Sequence, residues 1–246
     1  MSHELSFDIV KASSESEVAD VVVKERFISY VETLLEEPER LIGKGSLAEV
    51  HGLEANEKVC VKVMSDDRNY GTISQERVGS PFYNSAYIEA EFLSDLQEIA
   101  RDVGVPKPYY SMEKIGSDSS GMPKKVSALI MERLPAVSLE HVINGFEEIP
   151  ASYEEDSFWE KLESFVQKMH EKGIYHRDLH AGNIMIGTAD GKPYVIDFGT
   201  AVYATEYDAY EKPSRAGRVN INAFIDDFQG LKKVHLLLKK AMIDKI

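Results

Sequence analysis

Two stretches of this chain hold residue types that could do chemistry. Tyr175-His176-Arg177-Asp178-Leu179-His180-Ala181-Gly182-Asn183-Ile184 sets an aspartate and an asparagine five positions apart on a loop. Tyr194-Val195-Ile196-Asp197-Phe198-Gly199 then delivers another aspartate from a strand-like run. Oxygen ligands supplied this sparingly suit Mg²⁺, because substrate phosphates and water fill its remaining positions. Asn183 and Asp197 are therefore the expected metal ligands, and Asp178 is left to take or orient a proton. Upstream, Gly43-Lys44-Gly45 lets backbone amides approach a polyphosphate, and Lys62 could meet its charge, with Glu89 available to hold the lysine's flexible stem. Lys62, Asp178, Asn183 and Asp197 each sit beside apolar residues, where a polar group is costly to bury for packing alone.

The elements that must position these groups follow from periodicity. Leu41-Ile42 leads into the glycine pair, Val50 to Leu53 runs out to a turn-like break at Ala55-Asn56-Glu57-Lys58, and Val59 to Met64 reads as a buried strand. Tyr87 to Ala100 reads as a helix on Ile88, Phe92, Leu96 and Ile99. Two further strands should flank the polar tip Gly116 to Gly121, the second running from Val126 to Met131. Beyond Pro135 helices are expected to dominate. One carries the stripe Trp159, Leu162, Phe165, Val166 and Met169 and stops at Gly173, and another spans Ala223 to Ile243. Val18 to Leu35 reads as an amphipathic helix ahead of Pro38. A strand-rich half followed by a helix-rich half predicts an α+β protein with two lobes joined near Met131–Pro135.

The chain has 246 residues, 43% hydrophobic and 28% charged, with 42 acidic against 28 basic side chains and a formal charge of −14. That length can bury one sizeable core or two small lobes. The acidic balance disfavours nucleic acid and anionic membrane as partners. One cysteine, Cys60, leaves no internal disulfide and no Cys-based zinc cluster. No window approaches the roughly 18 apolar residues of a membrane helix, and the opening residues do not read as a signal peptide. The expectation is a cytoplasmic protein, with export by a signal-independent route compatible with it.

On these residues the sequence resembles the protein-kinase-like superfamily. His176-Arg177-Asp178 with Asn183 is similar to the catalytic loop, Asp197-Phe198-Gly199 to the metal-binding motif, and Val59 to Lys62 to the third-strand lysine motif. Glu89 matches the helix-C glutamate, with Glu91 as the fallback. The resemblance implies a helical extension over 1–38, an N-lobe over 39–133 of a small antiparallel sheet plus helix C, and a reduced helical C-lobe over 134–246, with Mg-ATP between the lobes. It implies that Asp178 accepts the acceptor hydroxyl's proton, that Asn183 and Asp197 hold Mg²⁺, and that Lys62 braced by Glu89 positions the α and β phosphates. Ile42, Gly43, Lys44, Gly45, Val50 and Cys60 would then line the nucleotide, Met131 would guard the rear, and the backbone of Glu132 to Leu134 would take the adenine edge. His176 is expected to pack on Phe198, and Asp226 or Asp227 to anchor the catalytic loop. Arg177 is expected to be buried against acidic or phosphorylated groups of the segment carrying Thr200, Tyr203, Thr205, Tyr207 and Tyr210.

Three departures bear on function. Ala48 replaces the third glycine of the phosphate loop and Cys60 the alanine before the lysine. His180 stands where serine/threonine kinases carry lysine, giving Asp-Leu-His-x-Gly-Asn, which resembles aminoglycoside-type small-molecule kinases. The short run after Gly199, without an Ala-Pro-Glu motif, resembles the compact kinases among bacterial effectors. The leading expectation is a serine/threonine protein kinase with a protein substrate and a possible activating partner. The alternatives are a small-molecule kinase, with His180 on the acceptor side, or a nucleotide-binding scaffold.

Overall fold

The computed structural model describes residues 40–45, 48–53, 56–65, 86–117, 123–204 and 226–244. The expected helix over Val18–Leu35, the hydroxyls of Thr205, Tyr207 and Tyr210, and the centre of the tip after Ser117 lie outside them. Of the described residues, those up to Ser94 and those of Pro106–Arg133 form one compact unit, and Asp95–Val105 with the residues from Leu134 onward form a second.

The first unit is built on five antiparallel strands, β1 (Leu41–Lys44), β2 (Ala48–Leu53), β3 (Asn56–Ser65), β4 (Pro108–Ser117) and β5 (Pro123–Glu132), in the order β1-β2-β3-β5-β4. The β-branched run Val59-Cys60-Val61-Lys62-Val63 makes β3 the central strand, flanked by β2 and β5, with Val59, Val61 and Val63 buried. Residues opposite each other in the ladder share a face. Val50 pairs with Lys62, and Cys60 with both Gly52 and Met131, so Val50, Cys60, Lys62 and Met131 line one side of the sheet. The expected break over Ala55–Lys58 is corrected: β3 already starts at Asn56, whose Oδ1 accepts the Lys58 N–H at 2.9 Å while a register shift at Gly52/Leu53 absorbs the turn.

Helix α1 (Ala86–Leu96) buries Ala86, Glu89, Ala90, Phe92, Leu93 and Leu96. Its first N–H, on Ala86, is taken by Ser127 Oγ of β5 at 2.8 Å. It ends four residues before the expected Ala100. Leu96 O captures the N–H groups of Ile99 and Ala100, and the chain turns so that Gly104 can bridge to Tyr194. A Cβ at Gly104 would collide with the Tyr194 ring, so only glycine permits that approach.

The second unit is less uniformly helical than expected. It holds α2 (Leu139–Ile143), α3 (Glu155–Glu171) and α4 (Asp227–Ile243), but also a three-stranded sheet of β6 (Ala136–Ser138), β8 (Ile184–Gly187) and β9 (Pro193–Val195), and a ladder between β7 (Ile174–Tyr175) and β10 (Val202–Tyr203). These strands are two to four residues long, too short for a period-two pattern to register. In α3 the stripe Phe158, Trp159, Leu162, Phe165, Val166 and Met169 is buried, acidic residues open the helix, and the chain leaves it through Gly173 at φ 74°. Each large apolar side chain so buried contributes about 1.5–3 kcal/mol. Trp159 stacks on His235 of α4, ring centroids 4.3 Å apart. Among the described residues no helix is long and apolar enough to cross a membrane.

Candidate active site

The residues singled out by chemistry fall into two groups, one in each unit. In the first, Lys62 on β3 and Glu89 on α1 are 4% and 1% exposed, and Lys62 Nζ lies 2.9 and 2.7 Å from the two Glu89 oxygens. A charge on the apolar stripe of a helix survives burial only when paired and hydrogen-bonded this closely. Glu91, the fallback, is exposed. The register of β3 puts Lys62 on the same side as Val50, Cys60 and Met131.

Around these, Gly45 N–H closes a turn onto Ala48 O at 2.8 Å, and Gly43 faces Val50. Lys44 pairs with Glu49 across the β1–β2 ladder at 2.8 Å, and Ile42 is exposed. The Cys60 thiol is buried and donates a long contact to Glu132 O at 3.7 Å; burial pushes it up to about 12. At the end of β5 the N–H of Glu132 is taken by Lys107 O at 2.9 Å and that of Arg133 by Lys58 O at 2.8 Å. In the second unit, Leu134 O accepts the Ala136 N–H at 2.9 Å, while among the described residues the Leu134 N–H meets no acceptor.

The second group is the loop between β7 and β8. Asn183 Nδ2 donates to Asp178 O at 2.9 Å and Ile196 N–H to Asn183 O at 3.0 Å, which stitches the loop across its own width and then to the residue before Asp197. With its amide nitrogen spent on Asp178 O, Asn183 turns Oδ1 the other way. Asp197 stands in the left-handed region at φ 64° and accepts a long 3.4 Å bond from Gly199 N–H in the tight turn it caps. These hard oxygens suit Mg²⁺, and two side chains leave its other positions to phosphate and water. Among the described residues no cluster of three His, Cys, Asp or Glu side chains could hold a metal, so a heavier protein cage is not on offer there.

The Asp178 carboxylate remains half exposed. Burial raises its pKa above the ordinary value, while His180 and His176 pull against that rise. His180 Nε2 lies 3.7 Å from Asp178 Oδ2, and because Gly182 N–H donates to Nδ1 at 3.0 Å, the ring proton sits on Nε2, facing the carboxylate. His176, fully buried, works the same way: Asp178 N–H donates to its Nδ1 at 3.3 Å, and Nε2–H donates to Ile196 O at 3.0 Å. Its ring lies 4.6 Å from that of Phe198, the packing expected for it.

Asp226 and Asp227, alternatives on sequence, divide their work. Asp226 caps α4 by accepting the Gln229 N–H at 3.1 Å, whereas Asp227, buried, accepts the backbone N–H groups of His176 at 2.9 Å and Arg177 at 2.7 Å. His170 of α3 reaches the same carboxylate at 2.9 Å. Sequence reasoning missed two contributors. Gly230 lets α4 close on the loop, since a Cβ there would strike Leu179 O, and its signal was a glycine inside an otherwise good helix. Tyr203 donates to Asp95 Oδ2 at 2.7 Å, a contact across 108 positions with no local signal.

Residues 37–216 match the protein kinase domain family. The chain is 29% identical over 173 residues to the serine/threonine-protein kinase PknD of Chlamydia trachomatis, covering 67% of this chain and 17% of that protein. It is 27% identical over 164 residues to the probable serine/threonine-protein kinase PknB of Bifidobacterium longum, 66% of this chain and 22% of that one. It is also 25% identical over 120 residues to a 3-deoxy-D-manno-octulosonic acid kinase of Xylella fastidiosa, 44% of this chain and 45% of the relative. The chain thus spans about a fifth of the length of the bacterial serine/threonine kinases it resembles.

Proposed function

The chain belongs to the protein kinase domain family, and from that premise we propose that it transfers the γ-phosphate of ATP to serine or threonine hydroxyls of a protein substrate. The observation that carries this reading is the stitched loop, in which Asn183 Nδ2 bonds Asp178 O and Asn183 O bonds Ile196 N–H. One short network thereby ties the base candidate to Asn183 and Asn183 to the residue before Asp197, without using the Asp178 carboxylate or Asn183 Oδ1.

In this reading Asn183 Oδ1 and the Asp197 carboxylate hold Mg²⁺, which when bound supplies charge neutralisation to the triphosphate. Lys62, oriented by Glu89, meets the α and β phosphates as a point charge. The face of Val50, Cys60 and Met131 receives the adenine, whose edge takes the backbone of Glu132 and Leu134. Ile42 and the turn from Gly43 through Lys44 to Gly45 cover the phosphates. Asp178 accepts the hydroxyl proton of the acceptor; its raised pKa makes the carboxylate a somewhat stronger base than an exposed aspartate. The protein contributes alignment and fixed charge, and forms no covalent bond to the phosphoryl group. An activating protein partner remains part of this proposal, as does the protein nature of the acceptor, for which the bacterial serine/threonine kinases are the supporting likeness.

The test is incubation with labelled ATP and Mg²⁺ and phosphosite mapping by mass spectrometry, with candidate proteins, sugars and aminoglycosides as acceptors. Asp178→Asn should abolish transfer while nucleotide still binds, and Lys62→Met should lower turnover roughly a hundredfold, the scale of losing one preorganised charge. Retained transfer by Asp178→Asn sinks the base assignment. Labelling of a sugar with none of protein moves the chain to the small-molecule class.

A further inference from the structure

The hairpin of β1 and β2 has little packing to hold it. β1 is an edge strand of four residues, none of them fully buried, with Ile42 and Lys44 exposed and a register shift between Leu41 and Gly43. An element with so few buried apolar contacts opens at low cost. At its end the Gly45 N–H bonds to Ala48 O at 2.8 Å, and Ala48 carries a buried methyl where glycine would leave the chain more freedom.

Strand alternation sorts the hairpin's side chains by face. Gly43 opposes Val50 and Val50 opposes Lys62, so this column belongs to the Lys62 side. Lys44 opposes Glu49 and Glu49 opposes Val63, so their side chains lie on the other side. There Lys44 Nζ meets Glu49 Oε1 at 2.8 Å. The second oxygen of Glu49 lies 3.5 Å from Nε2 of His51, the next residue on that face of β2. His51 is buried, and neither of its ring nitrogens makes a hydrogen bond. Burial holds the imidazole below its ordinary range, so at pH 7 it is neutral and does not compete with Lys44 for the carboxylate.

We infer that the Lys44–Glu49 pair is a strap across the open end of this hairpin, and that both are positioning residues for nucleotide binding rather than phosphate ligands. Only the binding part rests on the phosphotransfer reading. An exposed ion pair adds little where packing already fixes two strands. Here the packing is thin, so the pair governs how much of the free chain keeps Gly43 opposite Val50. Apparent affinity for a ligand that needs this register falls as its population falls. Reversing the two charges leaves the strap intact, whereas a phosphate contact made by the Lys44 ammonium would be lost.

The test uses the full chain and reads hydrogen–deuterium exchange over residues 41–53 without nucleotide, the Kd for Mg-ATP, and kinetics. Lys44→Ala and Glu49→Gln should each raise exchange over 41–53 and weaken Mg-ATP binding about two- to fivefold, the range for one cross-strand charge pair. The two together should be no worse than either. The loss should fall on KM for ATP rather than on kcat, and should shrink as salt screens the pair. Lys44→Arg should stay near the parent. Lys44→Glu and Glu49→Lys should each do more harm than Lys44→Ala, yet the chain carrying both should recover exchange and affinity together. A swapped chain that binds Mg-ATP as weakly as Lys44→Glu alone would make the Lys44 ammonium a phosphate ligand and overturn the strap, and so would unchanged exchange in both Lys44→Ala and Glu49→Gln. Exchange needs no nucleotide, so if the swap rescues it while the parent binds no Mg-ATP, the strap stands and the phosphotransfer reading falls instead.

Discussion

Asp227 holds Arg177 by its backbone: Oδ1 of the carboxylate accepts the arginine's N–H at 2.7 Å. The neighbouring N–H of His176 goes to Oδ2 at 2.9 Å. Arg177 stands at φ 69°, a left-handed conformation that costs a side-chain-bearing residue on the order of 1–3 kcal/mol. Two hydrogen bonds to one buried carboxylate are of the size needed to offset it. Asp227→Asn keeps the shape and replaces one acceptor by a donor facing a donor. It should lower the urea midpoint by the equivalent of about 2 kcal/mol at unchanged m-value, and phosphotransfer should fall with it. An unaltered midpoint would mean that the loop holds its left-handed residue without this grip.

Gly230 tests the same junction from the other side. Glycine inside a helix is about 1 kcal/mol worse than alanine, so propensity alone predicts that Gly230→Ala stabilises. A Cβ at this position would instead strike the backbone oxygen of Leu179, which cannot rotate away as a side chain could. The expected outcome is a lower melting temperature, unchanged or higher helix content by circular dichroism, and reduced turnover, because Leu179 follows Asp178 directly. A rise in melting temperature with full activity would show the junction to be looser than the contact implies.

Cys60 gives a chemical readout, being the only cysteine. Its thiol, pushed up to about 12 by burial, should resist alkylation at neutral pH and react only as the chain unfolds, so labelling followed by mass spectrometry reports opening of β3. The sign of the stability effect follows. The folded pKa lies above the unfolded value of 9.0, so the thiol's contribution is fully present below 9.0 and is lost as pH climbs toward 12. Cys60→Ala should flatten that alkaline decline. Rapid alkylation of the native chain at pH 7 would contradict the burial.

The candidate site was more legible in the sequence than the scaffold. Lys62, Glu89, Asp178, Asn183 and Asp197 could be singled out because polar groups among apolar neighbours are rare, and the last three lie close together in the chain. The long strands β3 and β5 and the helix α3 were legible because their periodicity runs long enough to register. What could not be seen is what long-range contact decides. Helix α1 stops at Leu96 because Gly104 must reach Tyr194, and the short strands β6 to β10 exist because the loops they flank pair with one another. Asp226 and Asp227 could not be told apart by letters, since a single position separates the cap from the grip.

Because Lys62 and Glu89 neutralise one another out of water, neither codon can drift alone. Any lineage that replaced the lysine first would carry a stranded glutamate at a penalty of about 3–5 kcal/mol, a large share of what a small fold has to spare. Change at these two positions therefore demands either a simultaneous double exchange or a reservoir of surplus stability laid down elsewhere beforehand, which makes the intact pair a ratchet.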